Sequence, residues 1–365
     1  MKVALGAVAG TLGGPATYAI HLARALGRCF PADELTVITD RPDLFDRDCR
    51  TVEVPLRSPW RQPLWDQVGV ARVLAGGDFD LYHGTKGVLP RFLAIPGVVT
   101  VHDLAHKVMP ETFSLPQRLH LGLETPSTLS RARAVITDSK SSAADIERYF
   151  GGRAQAPVVI PLAAPERSVD YDAVRVEELK ARAGCEGKRV IGYLGTVQPR
   201  KNLDLLADAF VLASVGDPDW VLLVAGRLRP GYAPTFLDPH DSRVRYLGPL
   251  ADEDVPVFLS ALHCMVSPSS YEGFGLSFLE AMAVGCPVIG LANSSVPEVV
   301  GDAGILVSEP SAQSLAEAIR RVTGNRYFAA ELGEKGRQRA AGFSWDATAR
   351  ATHAVYERVL GGDRP

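Results

Sequence analysis

Two glutamates, Glu272 and Glu280, are separated by seven residues, and two glycines, Gly273 and Gly275, follow closely on the first. A carboxylate is a poor partner for phosphate but a good acceptor for sugar or ribose hydroxyls. Glycines let backbone N–H groups approach an anion closely, and a helix N-terminus behind them adds positive potential. The run Tyr271-Glu272-Gly273-Phe274-Gly275-Leu276-Ser277-Phe278-Leu279-Glu280 therefore reads as a loop, a phosphate-cradling turn and a helix from Leu276. It reads equally as a tight loop before a buried helix carrying two solvated acids. A second group of residues weighs on that choice. After Gly195 and Thr196, Pro199 leads into Arg200 and Lys201, which stand at the apparent start of a helix. Cations there oppose the helix dipole, so a structural role explains them poorly. Beside the glycine turn they would bracket a diphosphate, Lys201 as a point charge and Arg200 as a fork. Arg227, after Ala225-Gly226, adds a further cation, and the turn ending at Leu250 could flank a base.

The first half of the chain offers weaker candidates. Gly13 and Gly14 precede a helix and allow close backbone approach, but the full dinucleotide fingerprint is missing and Asp40 is the nearest acid; a structural turn is the better reading. His102 and Asp103 end a strand, where His102 could meet a substrate, and His83 ends another. A lone histidine more often has a structural role. His106 and His120 have weaker claims, and no histidine spacing suits a metal. Trp60 and Trp65, with Arg57 and Arg61, could form a loop that grips an acceptor sugar or makes weak peripheral contact with a membrane; packing on its own domain is favoured.

These residues need elements to hold them at strand ends. Short apolar runs bounded by Gly, Pro and Asp alternate with helical patterns, which predicts an α/β protein of two doubly wound, Rossmann-like domains. Strands are expected at 3–5, 35–39, 52–54, 81–82, 98–101, 134–137 and 158–160, then at 190–194, 220–225, 244–246, 264–266, 288–291 and 305–307. The stretch from Pro161 to Gly187 separates the two series, giving domains 1–170 and 171–342. Residues 343–365 are expected to form a closing helix that packs back toward the first domain. The chain has 365 residues, 46% of them hydrophobic and 22% charged, with net charge −3, which argues against nucleic acid as a partner. Five scattered cysteines argue against a disulfide framework or zinc site, and the N-terminus reads as a strand rather than a signal peptide or membrane span. A cytoplasmic location is expected.

Together, Glu272 to Glu280 with Gly-Phe-Gly-Leu inside, Pro-Arg-Lys-Asn after Gly195, the Gly13-Gly14 loop, His102-Asp103, Pro297-Glu298 and the Phe-Ser-Trp closing segment resemble a known family nearly end to end. It is the retaining, GT-B-fold glycosyltransferases of family 4 (glycosyltransferase group 1), which include bacterial mannosyltransferases. The resemblance implies an acceptor-binding first domain, a nucleotide-sugar-binding second domain and no cofactor or metal. Glu280 would bind the ribose. Glu272 would lie near the donor sugar, with backbone contacts from Gly273, Phe274, Gly275 and Leu276. Arg200 and Lys201 would neutralise the diphosphate, His102 would approach the donor sugar, and Gly13 and Gly14 would abut the diphosphate and acceptor. Thr196 stands where many relatives have arginine, leaving the phosphate to Arg200 and Lys201, and Ser277 replaces a common proline. GDP-mannose is the favoured donor by resemblance, and the acceptor a glycan, lipid-linked sugar or natural product. UDP-sugar transfer, a nucleotide-sugar 2-epimerase and a non-catalytic sugar-binding protein are the alternatives.

Overall fold

The computed structural model describes residues 1–8, 13–47, 49–56, 58, 61–164, 173–237 and 241–362. Trp60 and Arg57 lie outside the described residues. Trp65 is buried and donates from its indole N–H to Val54 O at 2.7 Å, so this tryptophan packs within its own domain.

The chain divides into two compact units, one of Met1–Ala163 with Ser344–Pro365, the other of Ala164–Phe343. In the first unit seven strands are β1 (Lys2–Ala7), β2 (Glu34–Thr39), β3 (Arg50–Glu53), β4 (Leu81–Gly84), β5 (Gly97–Thr100), β6 (Ala134–Thr137) and β7 (Val158–Val159). They form a parallel sheet in the order β3-β2-β1-β4-β5-β6-β7. Helices α1 (Gly14–Cys29) and α2 (Leu115–Arg131) belong to this unit. Its core gathers Ala4, Ile38, Tyr82, Val99, Val135 and Ile146. The closing helix, Trp345–Leu360, is capped by Ser344, whose side chain accepts from the Ala347 N–H. It buries Trp345, Ala349, Val355 and Tyr356 within the first unit.

The second unit has β8 (Arg189–Leu194), β9 (Trp220–Ala225), β10 (Val244–Gly248), β11 (Cys264–Ser267), β12 (Val288–Leu291) and β13 (Ile305–Val307). Its parallel order is β10-β9-β8-β11-β12-β13. Helix α3 (Leu203–Ala213) follows β8, and α4 (Leu276–Ala283) follows β11. Strand runs such as Trp220–Ala225, buried throughout, are apolar on both faces because a parallel sheet is covered on both.

Both sheets reverse their winding beside the first strand of the series, β1 next to β4 and β8 next to β11. Loops leaving the carboxyl ends of two such strands go to opposite faces and open a crevice, the place where open α/β sheets bind ligands. In the second unit those loops carry residues 195–202 and 268–275.

Candidate functional site

The loop after β8 does not run straight into a helix. Pro199–Lys201 is a 3-10 turn, and Asn202 takes a left-handed conformation (φ 54°) before α3 starts at Leu203. The cations expected to open the helix stand before its cap, Lys201 by one residue and Arg200 by two, and not in its first turn. Lys201 Nζ bonds Glu272 Oε1, and Arg200 Nη1 lies 3.4 Å from Glu272 Oε2 while donating to Tyr271 O at 2.7 Å. Ser270 N–H closes the junction by donating to Arg200 O at 2.9 Å.

Glu272 is 5% exposed, so it is not a solvated acid. Burial pushes its carboxyl up, but the charges of Lys201 and Arg200 outweigh that and hold it at about 2, against 4.5 ordinarily. Two cations thus share this one carboxylate in a place poor in water, where electrostatic interactions are stronger than on an open surface. Behind it, Glu272 N–H donates to Ser294 Oγ at 2.9 Å. Ser295 Oγ donates to Glu272 O at 3.0 Å and to Phe274 O at 2.9 Å. Asn293 Nδ2 donates to Ser269 O and Ser270 O. Ser294 itself holds φ 45°, an uncommon conformation for serine. This Asn-Ser-Ser latch was not read from the sequence as a support. Its signal was three polar residues at the carboxyl end of β12, on the edge that carries Glu272.

Gly275 caps α4 at φ 98°, and Leu276 begins the helix. Phe274 is buried edge-on to Phe343, ring centroids 6.0 Å apart. Glu280 is half-buried in the second turn of α4, and Leu250 is half-buried just beyond β10. Gly195, Thr196 and Arg227 meet at the ends of β8 and β9. Gly195 N–H donates to Ala225 O, Val197 N–H to Arg227 O and Gly226 N–H to Gly248 O. Tyr193 OH donates to Thr196 O at 3.1 Å, and Arg227 is exposed. Gly226 has φ 138°, and a Cβ there would stand 1.9 Å from Gly195 O, a backbone atom that cannot swing aside. Gly226→Ala is therefore expected to destabilise the second unit by about 2–4 kcal/mol. Thermal unfolding followed by circular dichroism checks this.

The remaining candidates belong to the first unit. Gly13 and Gly14 are exposed where α1 begins, and a Cβ on Gly14 would meet nothing within 4 Å. His102 directs Nδ1 at Asp138 Oδ2, 2.6 Å away, and Nε2 at Thr85 O, 2.9 Å away. The Thr85 carbonyl can only accept, so Nε2 carries a proton, and the Asp138 carboxylate favours a second one on Nδ1. Burial alone would lower the pKa of His102, but the Asp138 carboxylate raises it above its ordinary value. Asp138 as a partner was missed, because it lies 36 residues away and meets His102 only through the pairing of β5 with β6. His83 is structural: fully buried, it bonds Tyr356 OH at 2.6 Å and Thr100 Oγ1 at 2.8 Å, and burial pushes its pKa down to about 3. Among the described residues, no three His, Cys, Asp or Glu side chains converge as a metal site would require.

Comparison with known proteins agrees with this layout. The family model for glycosyl transferases group 1 matches residues 175–339, and that for Glycosyltransferase Family 4 matches residues 12–164. O-antigen chain mannosyltransferase B of Escherichia coli is 28% identical over 283 residues, 76% of this chain and 74% of its own. MMP alpha-(1->4)-mannosyltransferase of Mycolicibacterium hassiacum is 27% identical, with 95% of both chains covered. The solved structure of Anabaena HepE in complex with UDP and glucose matches with a TM-score of 0.78 at 21% identity, covering 98% of this chain and 99% of that one. At that identity the likeness speaks for the fold. The chain belongs to the group 1, family 4 glycosyltransferases and has their GT-B fold.

Proposed function

We propose that this glycosyltransferase moves a hexose, mannose from GDP-mannose by preference, to a hydroxyl of a glycan, lipid-linked sugar or natural-product acceptor. The second unit takes the nucleotide sugar and the first the acceptor. Anomeric configuration is retained, and no metal takes part. The observation that carries this reading is the pair of cations, Lys201 and Arg200, held on one buried carboxylate at the carboxyl edge between β8 and β11. With these two cations fixed on the loop that leads to the Gly275 turn, the cluster can stabilise a departing diphosphate electrostatically, as a metal ion does in other transferases. The diphosphate then accepts the acceptor's proton on the face it leaves, so neither glutamate has to serve as nucleophile. Glu280, on α4, accepts from the ribose hydroxyls. His102, fixed by Asp138 and Thr85 at the carboxyl end of β5, is the residue of the first unit proposed to approach the donor sugar. Mannose is favoured because both relatives described above bear mannosyltransferase names.

The test is turnover with a panel of GDP-, UDP-, ADP- and TDP-sugars in the presence of a chelator, read by mass spectrometry. Release of GDP from GDP-mannose with a glycosylated acceptor is the expected result. Release from UDP-sugars only would replace the donor. Isomerisation at C2 without transfer, binding without turnover, or a strict metal requirement would overturn the corresponding part of the proposal.

A further inference from the structure

The His102 ring is held by more than its two hydrogen bonds. Those at Nδ1 and Nε2 run close to the plane of the ring, so they fix where it sits but resist rocking about the line joining the nitrogens only weakly. The side chain that blocks this motion comes from α1. Tyr18 packs against His102 with ring centroids 4.9 Å apart and planes at 81°, a T-shaped contact. Rings attract in that arrangement, and tilting either one loses the contact. Tyr18 is fully buried, whereas the His102 side chain keeps 16% of its surface exposed, so the tyrosine supports the histidine from the core.

Tyr18 is itself anchored. Its hydroxyl meets Thr100 Oγ1 at 2.9 Å, Thr100 Oγ1 meets His83 Nε2 at 2.8 Å, and His83 Nδ1 meets Tyr356 OH at 2.6 Å. The four side chains come from four elements, α1, β5, β4 and the closing helix, and each is at most 1% exposed. Burial keeps His83 neutral, so one of its nitrogens donates and the other accepts, and it joins the hydroxyls on either side into one chain. Apolar side chains of the same shape would fill this core without the cost of desolvating three hydroxyls and an imidazole. What the polar chain adds is direction, because it pins the hydroxyl end of the ring that touches His102. Trp345 of the closing helix also packs on Tyr18, with centroids 6.2 Å apart.

We propose that Tyr18 is a positioning residue of the transfer reaction, holding the His102 ring in the orientation that meets the donor sugar; this rests on the reading of His102 given above. Through Thr100 and His83 that orientation is tied to Tyr356, so the closing helix acts on the site as well as covering the core. A group facing the reacting centre has to be held closely, since a misplacement of about 1 Å can cost as much as about 10²-fold in rate. Tyr18 does not face the donor itself, so its loss acts on the rate and leaves ground-state binding of the donor in place.

The test is steady-state kinetics of the full chain carrying Tyr18→Leu or Tyr18→Phe, each alone and combined with His102→Ala. The donor is GDP-mannose, or the UDP-sugar that replaces it in the donor panel. Tyr18→Leu, which removes the ring, should lower kcat about tenfold or more; Tyr18→Phe, which keeps the ring and loses its anchor, should lower it about threefold. Donor KM should stay within about twofold in both. On the His102→Ala background neither substitution should lower kcat further, because the ring they act through is gone. Tyr18→Phe keeps nearly the whole side-chain volume, so it carries the test if Tyr18→Leu does not fold. Unchanged kcat in the folded variants, losses confined to KM, or losses of equal size with and without His102 would overturn the proposal. Normal turnover by His102→Ala alone would instead overturn the reading of His102 on which it rests.

Discussion

Lys201→Ala is expected to lower kcat/KM by about 10²–10³-fold, the usual cost of removing one donor aimed at developing charge. The loss follows from geometry. Lys201 is bonded to a buried carboxylate that fixes its ammonium in place before any ligand arrives. It therefore needs little reorganisation when a diphosphate develops charge. The same substitution should change the response to acid. The pKa of Glu272 in the folded protein is depressed, so its ion pairs contribute stability above the ordinary carboxylate value of 4.5, lost as pH falls through about 2. Without Lys201 one of the two depressing charges is gone and the folded pKa rises. The part of acid unfolding that Glu272 controls should then begin at higher pH than in the wild type. Steady-state kinetics and acid titration of the far-ultraviolet dichroism check the two halves separately.

Glu272→Gln is expected to act in two directions. Glutamine keeps the shape and can still accept from Lys201, but it removes the carboxylate charge that both cations share in a buried place. Stability should fall by about 3 kcal/mol, as when one partner of a buried ion pair is removed. A nucleoside diphosphate then meets the same two cations without the competing negative charge of Glu272. It should bind roughly tenfold more tightly, ~1.4 kcal/mol, so product release slows and kcat falls along with KM. A merely structural glutamate would give weaker binding together with the loss of stability. Calorimetric titration of the diphosphate distinguishes the two.

The architecture was legible because parallel strands buried on both faces leave short β-branched runs between Gly, Pro and Asp. Ala134–Thr137, Trp220–Ala225 and Val288–Leu291 match the expected strands residue for residue. Less visible were features set by the pairing of distant strands. Arg200 and Lys201 could be seen as stray cations and Glu272 as a stray acid. That they form one cluster depends on β8 lying beside β11, which no local pattern encodes. The reading of Arg200 and Lys201 as a helix start failed for a local reason. Pro199 and Asn202 build a 3-10 turn closed by a left-handed residue, and the helix begins only after it. His102 and His83 look alike in sequence, each at a strand end. Burial separates them: His83 sits wholly inside a network that includes Tyr356 of the closing helix, whereas His102 keeps a partly exposed ring.

The most direct measurement of the central claim is a calorimetric titration of GDP into the wild type and Lys201→Ala with chelator present. Metal-free binding to the wild type is the expected result, weakened at least tenfold, ~1.4 kcal/mol, by the substitution while the fold is retained. Binding that requires a divalent cation, or equal affinity in both proteins, would contradict it.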